Sequence, residues 1–243
     1  MIRTVTSGRL ATLWFENPPV NVLTLDLIVE MDDALARLES DHGLDYLLLR
    51  GGGARGFSAG VSVQAHLPAQ HETMLKTFHG LLRRLWAGRL VTVAEARGLV
   101  LGGGLELALS CDFGVVWPTA VVGQPEIDVG CYPPVSALLL PELVGARRAT
   151  DLILTGRRLS GVEALRWGLF TRQVEGEADV EAFLAELLSR SPAVMRQARR
   201  WLRRSILEGL AEVERAYTQD LVPLPDYTEG LQAFLEKRPP RWT

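Results

Sequence analysis

Two glutamates raise the first chemical question. Glu106 lies in Leu101-Gly102-Gly103-Gly104-Leu105-Glu106-Leu107, and Glu126 follows in the next motif, Gly123-Gln124-Pro125-Glu126. A carboxylate pair can divide acid–base work, one group moving a proton on carbon while the other handles water. Three consecutive glycines opening a helix expose free N–H groups at the positive end of the helix dipole. A developing oxyanion placed there is stabilised, and losing one such donor typically costs about a hundredfold or more in rate. Phe57-Ser58-Ala59-Gly60-Val61 offers a second surface of this kind, because small residues let a ligand approach backbone donors closely. Glu106 sits among Leu105, Leu107, Ala108 and Leu109, so it is expected to be buried. A buried carboxylate needs a partner, and pairing with a core Arg is the structural alternative to a catalytic role.

Other chemistries fit less well. Gly51-Gly52-Gly53-Ala54-Arg55-Gly56 matches G-x-G-x-x-G after a strand. It runs into Phe57-Ser58-Ala59-Gly60-Val61 rather than into the helix that a dinucleotide site requires, so a tight turn is expected. Gly56-Phe57-Ser58-Ala59-Gly60 matches G-x-S-x-G, but a hydrolase elbow needs an acid and then a His well downstream. The last His is His79, with only Glu72 as an acid between it and Ser58. His42, His66, His71 and His79 form no H-E-x-x-H pattern, so no metal site is expected, although His66 is placed to line a pocket. Arg196, Arg199, Arg200, Arg203 and Arg204 fall on one helical face, read as a solvated face opposite Met195, Ala198, Trp201 and Leu202. The functional alternative for that face is an anion or RNA patch.

The elements that must position these groups follow from hydrophobic pattern and punctuation. Two strands joined near Ser7-Gly8 are expected in residues 2–15, closed by Asn17-Pro18-Pro19. Thr24 caps a helix with Leu25, Ile28, Met31, Leu35 and Leu38 on one face. Strands are expected at Tyr46–Leu49, Val91–Ala96 and Val115–Trp117, and a second helix at Leu75, Phe78, Leu82 and Leu85. Gly102-Gly103-Gly104 opens a short helix. The back half reads as helical, with a capping box at Ser160…Glu163, a start at Ser191-Pro192 and a final helix near Thr228–Lys237.

The chain has 243 residues, 47% of them hydrophobic and 23% charged, with a formal net charge of −3. That length supports one core without staples, and that charge leaves no global footprint for nucleic acid. Cys111 and Cys131 form no CxxC pair, which fits a reducing cytoplasm. The start of the chain has no apolar signal region. The longest stretch free of Asp, Glu, Lys and Arg, Gly56–His71, is too polar for a membrane span.

Taken together, three segments resemble the enoyl-CoA hydratase/isomerase (crotonase) superfamily. They are Phe57-Ser58-Ala59-Gly60-Val61; Gly98 followed by Gly102-Gly103-Gly104-Leu105-Glu106-Leu107 and Cys111-Asp112; and Gln124-Pro125-Glu126 with Gly130. The likeness continues through Leu154-Thr155-Gly156, Ala164, Gly168-Leu169, Glu229-Gly230, Ala233-Phe234 and Lys237-Arg238. It implies an α/β fold, a crotonase-type spiral of ββα units with a helical C-terminal portion. The corresponding division is a core over residues 1–185 and a trimerising, CoA-covering region over 186–243. It further implies acyl-CoA thioester substrates, no separate cofactor, and a homotrimer or dimer of trimers.

By the same resemblance, Val61 and Gly103 donate N–H groups to the thioester oxygen, while the Ala59 carbonyl meets the adenine. Glu106 orients or activates water, and Glu126 exchanges the proton on carbon. Gly60, Gly102, Gly104 and His66 line the substrate site, and Phe234 and Lys237 cover CoA. Three departures stand out: Ser62 where the family usually has Asp, Val91 where a proline is frequent, and Gly130-Cys131-Tyr132-Pro133-Pro134-Val135 where simple hydratases are glycine-rich. Tyr132 and Pro133 stiffen the acyl pocket. With His66 and Phe78-His79-Gly80, that segment is similar to cyclic dienoyl-CoA hydratases. The expected activity is therefore hydration of an α,β-unsaturated acyl-CoA, and cyclohexa-1,5-diene-1-carbonyl-CoA is the candidate substrate. The rivals are an isomerase, which needs a single base, a non-catalytic acyl-CoA or RNA binder, and a serine hydrolase.

Overall fold

A computed structural model describes residues 1–243. The chain opens with β1 (Ile2–Ser7) and β2 (Leu10–Phe15), an antiparallel hairpin pairing Ile2 with Phe15 and Ser7 with Leu10. After β3 (Val22–Leu23), Thr24 accepts a hydrogen bond from Leu27 N at 3.3 Å and caps α1 (Leu25–Ser40). Then come β4 (Tyr46–Gly51), β5 (Gly60–Val61), α2 (His71–Ala87), β6 (Val91–Ala96), β7 (Leu99–Leu101), α3 (Gly103–Leu109), β8 (Phe113–Val116) and β9 (Val121–Gly123).

The back half holds α4 (Pro134–Val144), α5 (Ala146–Thr155), β10 (Arg158–Ser160), α6 (Gly161–Trp167), β11 (Arg172–Gln173) and α7 (Glu177–Leu188). It finishes with α8 (Pro192–Leu202), α9 (Arg204–Ala216) and α10 (Pro225–Leu235). The expected helical character holds, but β10 and β11 are additional short strands. Two or three residues carry too little periodicity to mark a strand. The last helix starts at Pro225 rather than near Thr228, since Pro is favoured in a first turn. The capping box at Ser160 forms, with Ser160 Oγ accepting from Glu163 N at 3.2 Å.

Three sheets turn around one core. The largest has the order β1-β2-β4-β6-β8-β11, parallel beyond the first hairpin. Its inner strand β6 is buried at all six positions, as strands covered on both faces must be. The second sheet runs β10-β9-β7, and the third pairs β3 with β5 in parallel. Successive strand–strand–helix units thus wind as a spiral, the α/β class expected. No helix is long and apolar enough to cross a membrane.

The C-terminal helices pack onto this core. Ile206 and Leu210 of α9 join the main hydrophobic cluster. Tyr217, Tyr227 and Leu231 join Ala65, Met74, Leu75 and Cys131 in a smaller one. The α8 expectation fails at particular positions: Met195 packs inward as expected and Arg200 and Arg204 are exposed, but Arg199 turns in while Trp201 and Leu202 face out. Arg199 is 7% exposed, whereas Trp201 is 71% and Leu202 78% exposed. Arg199 turns inward because Asp112 waits beneath it: Nε lies 2.6 Å from the carboxylate, and its other nitrogens donate to the carbonyls of Leu85 and Gly88. Arg203 adds a contact to Asp112 at 3.3 Å. Arg199 and Arg203 are therefore internal anchors on Asp112, whereas Arg200 and Arg204 of the same stripe stay exposed as expected.

Candidate active site

The site begins where β7 turns into α3. Gly102 has φ of 55° and ψ of −133°, a conformation that side chains strongly disfavour, and it redirects the chain sharply. A Cβ there would stand 2.7 Å from Glu126 Oε1, so the carboxylate occupies the space that the missing side chain leaves. Gly103 is the first residue of α3, and its N–H has no acceptor within the helix. A Cβ on Gly103 would come within 2.6 Å of Val61 Cγ2 and 3.3 Å of Val61 N. The turn and the Val61 strand thus approach backbone to backbone. Other donors of that loop are engaged: Ala59 N with Val20 O at 2.9 Å, Gly60 N with Ser58 Oγ at 3.0 Å, and Ser62 N with Leu23 O at 3.0 Å. Val61 and Gly103 both line the cavity.

That cavity has a volume of about 290 Å³, and Glu106 and Glu126 both line it. Glu106 is buried on α3, and its Oε1 accepts from Ser136 N at 2.9 Å, at the start of α4. The alternative of a core Arg partner is not what the structure shows. Glu126 stands in a short helical turn, Pro125–Val129, with Pro125 opening it. Gln124 links the two: with its amide oriented to satisfy its neighbours, it donates to both Glu126 oxygens at 3.1 and 3.0 Å and accepts from Ser136 Oγ. Ser136 therefore touches Glu106 through its backbone and Gln124 through its hydroxyl.

Electrostatics favours one proton on this pair. Burial pushes the Glu106 carboxyl above its ordinary value, opposed by the charge of His79 and the Ser136 donor. Burial pushes Glu126 well above its ordinary value too, and the nearby charge of Glu106 adds to the rise. Two carboxylates in one desolvated pocket do not both ionise readily. An acid and a base in the same cavity is the arrangement that general acid–base catalysis uses.

Ala59, Gly60, Val61, His66, Gly102, Gly103, Tyr132, Pro133 and Phe234 all line the same cavity. Two expected positions do not. Gly104 is turned into the packing against Ser58, where a Cβ would meet Ser58 Cβ at 2.7 Å. Lys237 is exposed beyond the end of α10 and does not reach the cavity wall. His66 is held by its Nδ1 on Ser62 O at 2.9 Å, and burial lowers its pKa despite that carbonyl. Ser62, standing where the family usually has Asp, thus braces the loop through its backbone carbonyl.

Ser58 is fully buried and its Oγ donates to Asn21 O at 2.7 Å, a structural role rather than a nucleophile's. The Gly51–Gly56 segment is a turn, with Gly53 and Gly56 at positive φ. No group of three or more His, Cys, Asp or Glu side chains is placed to hold a metal ion. A larger cavity of about 530 Å³ lies between α8, α9 and the core, but its buried charges are spent on the Asp112–Arg199–Arg203 network.

Ser136 and Tyr217 belong to the site without a signal in sequence that marks them, and Gln124 and His79, which lie within segments that carry the resemblance, gain their placement only from the fold. Gln124 is visible within its motif, yet its role depends on Ser136, which comes from the next helix. His79 lines the cavity from α2, and Tyr217 closes it from the C-terminal region. No local pattern carries the placement of Tyr217.

The chain is similar to known proteins over its whole length. A profile described as enoyl-CoA hydratase/isomerase matches residues 6–243. The chain is 36% identical over 241 residues to a cyclohexa-1,5-dienecarbonyl-CoA hydratase of Thauera aromatica, covering 97% of this chain and 93% of that protein. It is 32% identical to a probable enoyl-CoA hydratase of Bacillus subtilis, covering 96% and 94% respectively. The crystal structure of an enoyl-CoA hydratase from Mycobacterium avium subsp. paratuberculosis superposes with a TM-score of 0.87 at 26% identity, over 100% of this chain and 98% of that one. A human mitochondrial delta3-delta2-enoyl-CoA isomerase shares the fold, with a TM-score of 0.88 at 24% identity over 97% of each chain.

Proposed function

The chain belongs to the enoyl-CoA hydratase/isomerase family, and from that premise we propose that it is a hydratase acting on an α,β-unsaturated acyl-CoA thioester. The observation that carries this reading is the joined pair of carboxylates in one cavity over the N-terminus of α3, Glu106 buried and Glu126 half-buried. An isomerase needs one base and no held water. Two carboxylates, braced to each other through Ser136 and Gln124, suit a reaction that must place a water and a proton on adjacent carbons.

In this reading the thioester oxygen sits between the N–H groups of Val61 and Gly103, which take up enolate charge as it develops. Glu106 orients the water by accepting one of its hydrogens. The water oxygen bonds to the β-carbon while Glu126 delivers a proton to the α-carbon. The proton left on Glu106 then returns to Glu126, and the pair is restored. The substrate brings its own CoA, so no separate cofactor enters.

The acyl end points to a compact group. Tyr132 and Tyr217 meet edge to face with ring centres 5.5 Å apart, and Pro133 stiffens the wall beside them. A long straight tail has little room against such a wall. Together with the Thauera aromatica likeness, this favours cyclohexa-1,5-diene-1-carbonyl-CoA as substrate. Exposed Val194, Trp201 and Leu202 on α8 support self-association as a homotrimer or dimer of trimers. Residues 1–185 then form the core, and residues 186–243 the trimerising and CoA-covering part. The balanced charge and free buried cysteines suit a cytoplasmic enzyme with no nucleic-acid partner.

The test is mass-resolved chromatography of protein incubated with crotonyl-CoA and, separately, with the cyclic dienoyl-CoA. Gain of one water on the cyclic substrate alone supports both chemistry and substrate. Gain on crotonyl-CoA alone keeps the hydratase and discards the cyclic substrate. A double-bond shift at constant mass on both would replace hydration with isomerisation.

A further inference from the structure

One hydroxyl in the wall of the cavity has no partner. Tyr217 opens a single π turn, Tyr217–Leu221, directly after α9, and it lines the same cavity as Glu106 and Glu126. Turns of this kind recur at functional sites. Tyr217 is 1% exposed, and its hydroxyl makes no hydrogen bond. Three other buried side-chain atoms share that condition: Arg50 Nε, His71 Nε2 and Trp86 Nε1. None of those three residues lines the cavity, and Arg50 Nε faces the Glu95 carboxylate. Tyr217 is the orphan that stands in the wall a ligand meets.

The other polar side chains of the cavity are engaged or lie nearer solvent. Glu106 accepts from Ser136 N and Glu126 from Gln124, while His66 Nδ1 meets Ser62 O and His79 Nδ1 meets Glu214. Tyr132 is half-buried, and Asp128 and Arg158 are exposed. Around Tyr217 the packing is apolar, with Ala65, Met74, Leu75 and Leu231 in one cluster. Two polar members of that cluster are turned elsewhere: Cys131 Sγ donates to Val129 O at 3.7 Å, and Tyr227 donates to the His66 carbonyl. A trapped water needs two or more polar partners, and this corner supplies few. The ring is also fixed in place. Tyr132 and Tyr227 both meet it edge to face, with centres 5.5 and 6.0 Å away. Burial holds the phenol well above its ordinary pKa, so the group keeps its hydrogen and stands ready to donate.

A buried donor left unpaired is costly until something completes it. A site built to hydrogen-bond a substrate oxygen discriminates against analogues that lack the oxygen. We propose that Tyr217 is a specificity determinant whose hydroxyl donates to an oxygen carried by the acyl ring, a hydroxyl or oxo group away from the thioester. Oxygen-substituted cyclic acyl-CoA thioesters are then a further ligand class of this cavity. The inference rests on the reading that an acyl-CoA occupies the cavity, and it deepens the cyclic part of that reading. Tyr132 and Pro133 limit the length of the acyl group, and Tyr217 reads what the ring carries. The reacting water stays with Glu106, so the oxygen at Tyr217 is a separate one.

The test is calorimetric binding of saturated thioesters, which have no double bond to hydrate. The probes are cyclohexanecarbonyl-CoA and its hydroxy and oxo counterparts substituted at ring carbon 3 or 4. The unaltered protein should bind at least one oxygenated ring about tenfold more tightly than the plain ring, the gain expected of one hydrogen bond. Tyr217→Phe should lose that preference and keep the affinity for the plain ring, with a Tm no lower than that of the unaltered protein. Tyr132→Phe, which removes the neighbouring hydroxyl, should keep the preference. Hydroxy and oxo rings preferred alike identify Tyr217 as the donor to either oxygen. Equal binding of plain and oxygenated rings by the unaltered protein would overturn the proposal, as would a preference that survives Tyr217→Phe. Failure of every thioester, the plain ring included, to bind would bring down the acyl-CoA reading and this proposal with it.

Discussion

At the scale of single residues, the proposed hydration depends on where one proton sits. Glu106 and Glu126 are both raised by burial, and the charge of Glu106 raises Glu126 further. Replacing either by Gln should cut kcat by about 10²- to 10⁴-fold with little change in CoA binding, measured by steady-state hydration and calorimetry. A pH profile should be bell-shaped, failing at low pH when both are protonated and at high pH when both ionise. Stability follows the same sign. A carboxyl whose folded pKa is raised contributes stability below its unfolded pKa that is lost as pH rises through the folded value. Glu126→Gln should therefore raise Tm at pH 8 and leave it nearly unchanged at pH 4, as thermal melts at the two pH values would show. The two glutamates are legible in sequence because residue type and spacing reveal them. Ser136 and Gln124 are not, because one acts through a backbone N–H and the other through a side chain whose partner arrives from a separate helix.

At the scale of elements, the close approach of α3 to the Val61 strand is the controlling feature. Gly103→Ala would drive a methyl into Val61 and separate the two donors. Loss of about a hundredfold or more in kcat/KM is expected, with a lower Tm from the overpacked contact. The α8 helix teaches a different lesson. Its two faces are legible, but not which one turns inward. An apolar stripe ordinarily wins that choice, but here the Asp112 carboxylate takes Arg199 inside while Trp201 and Leu202 stay exposed. Removing Arg199 as Ala leaves that carboxylate buried with a weaker partner, Arg203 at 3.3 Å. About 3 kcal/mol of stability should be lost in urea unfolding. An unfolding midpoint that does not move would mean that the anchor contributes little.

At the scale of the whole molecule, the spiral core positions both donors and both carboxylates, and the C-terminal helices close the cavity. Tyr227 of α10 donates to the His66 carbonyl, and Leu231 lines the cavity from above. The outward Trp201 and Leu202 then remain as an apolar surface that self-association would cover. Trp201→Glu should shift the particle mass toward the monomer in light scattering, while leaving the secondary structure intact by circular dichroism. The fold is legible through the combined motifs along the chain and less so from its short strands, since β10 and β11 exist only by pairing with distant neighbours. The docking of α9 against α2, which brings Glu214 to His79, depends on tertiary packing over 135 residues and leaves no local trace. The central claim is that the glutamate pair adds water to a thioester-activated double bond. The most direct measurement is the mass of product from the cyclic dienoyl-CoA and from crotonyl-CoA, with the unaltered protein and with Glu126→Gln. A gain of one water that Glu126→Gln abolishes is the predicted result, and water gained equally fast by Glu126→Gln would contradict it.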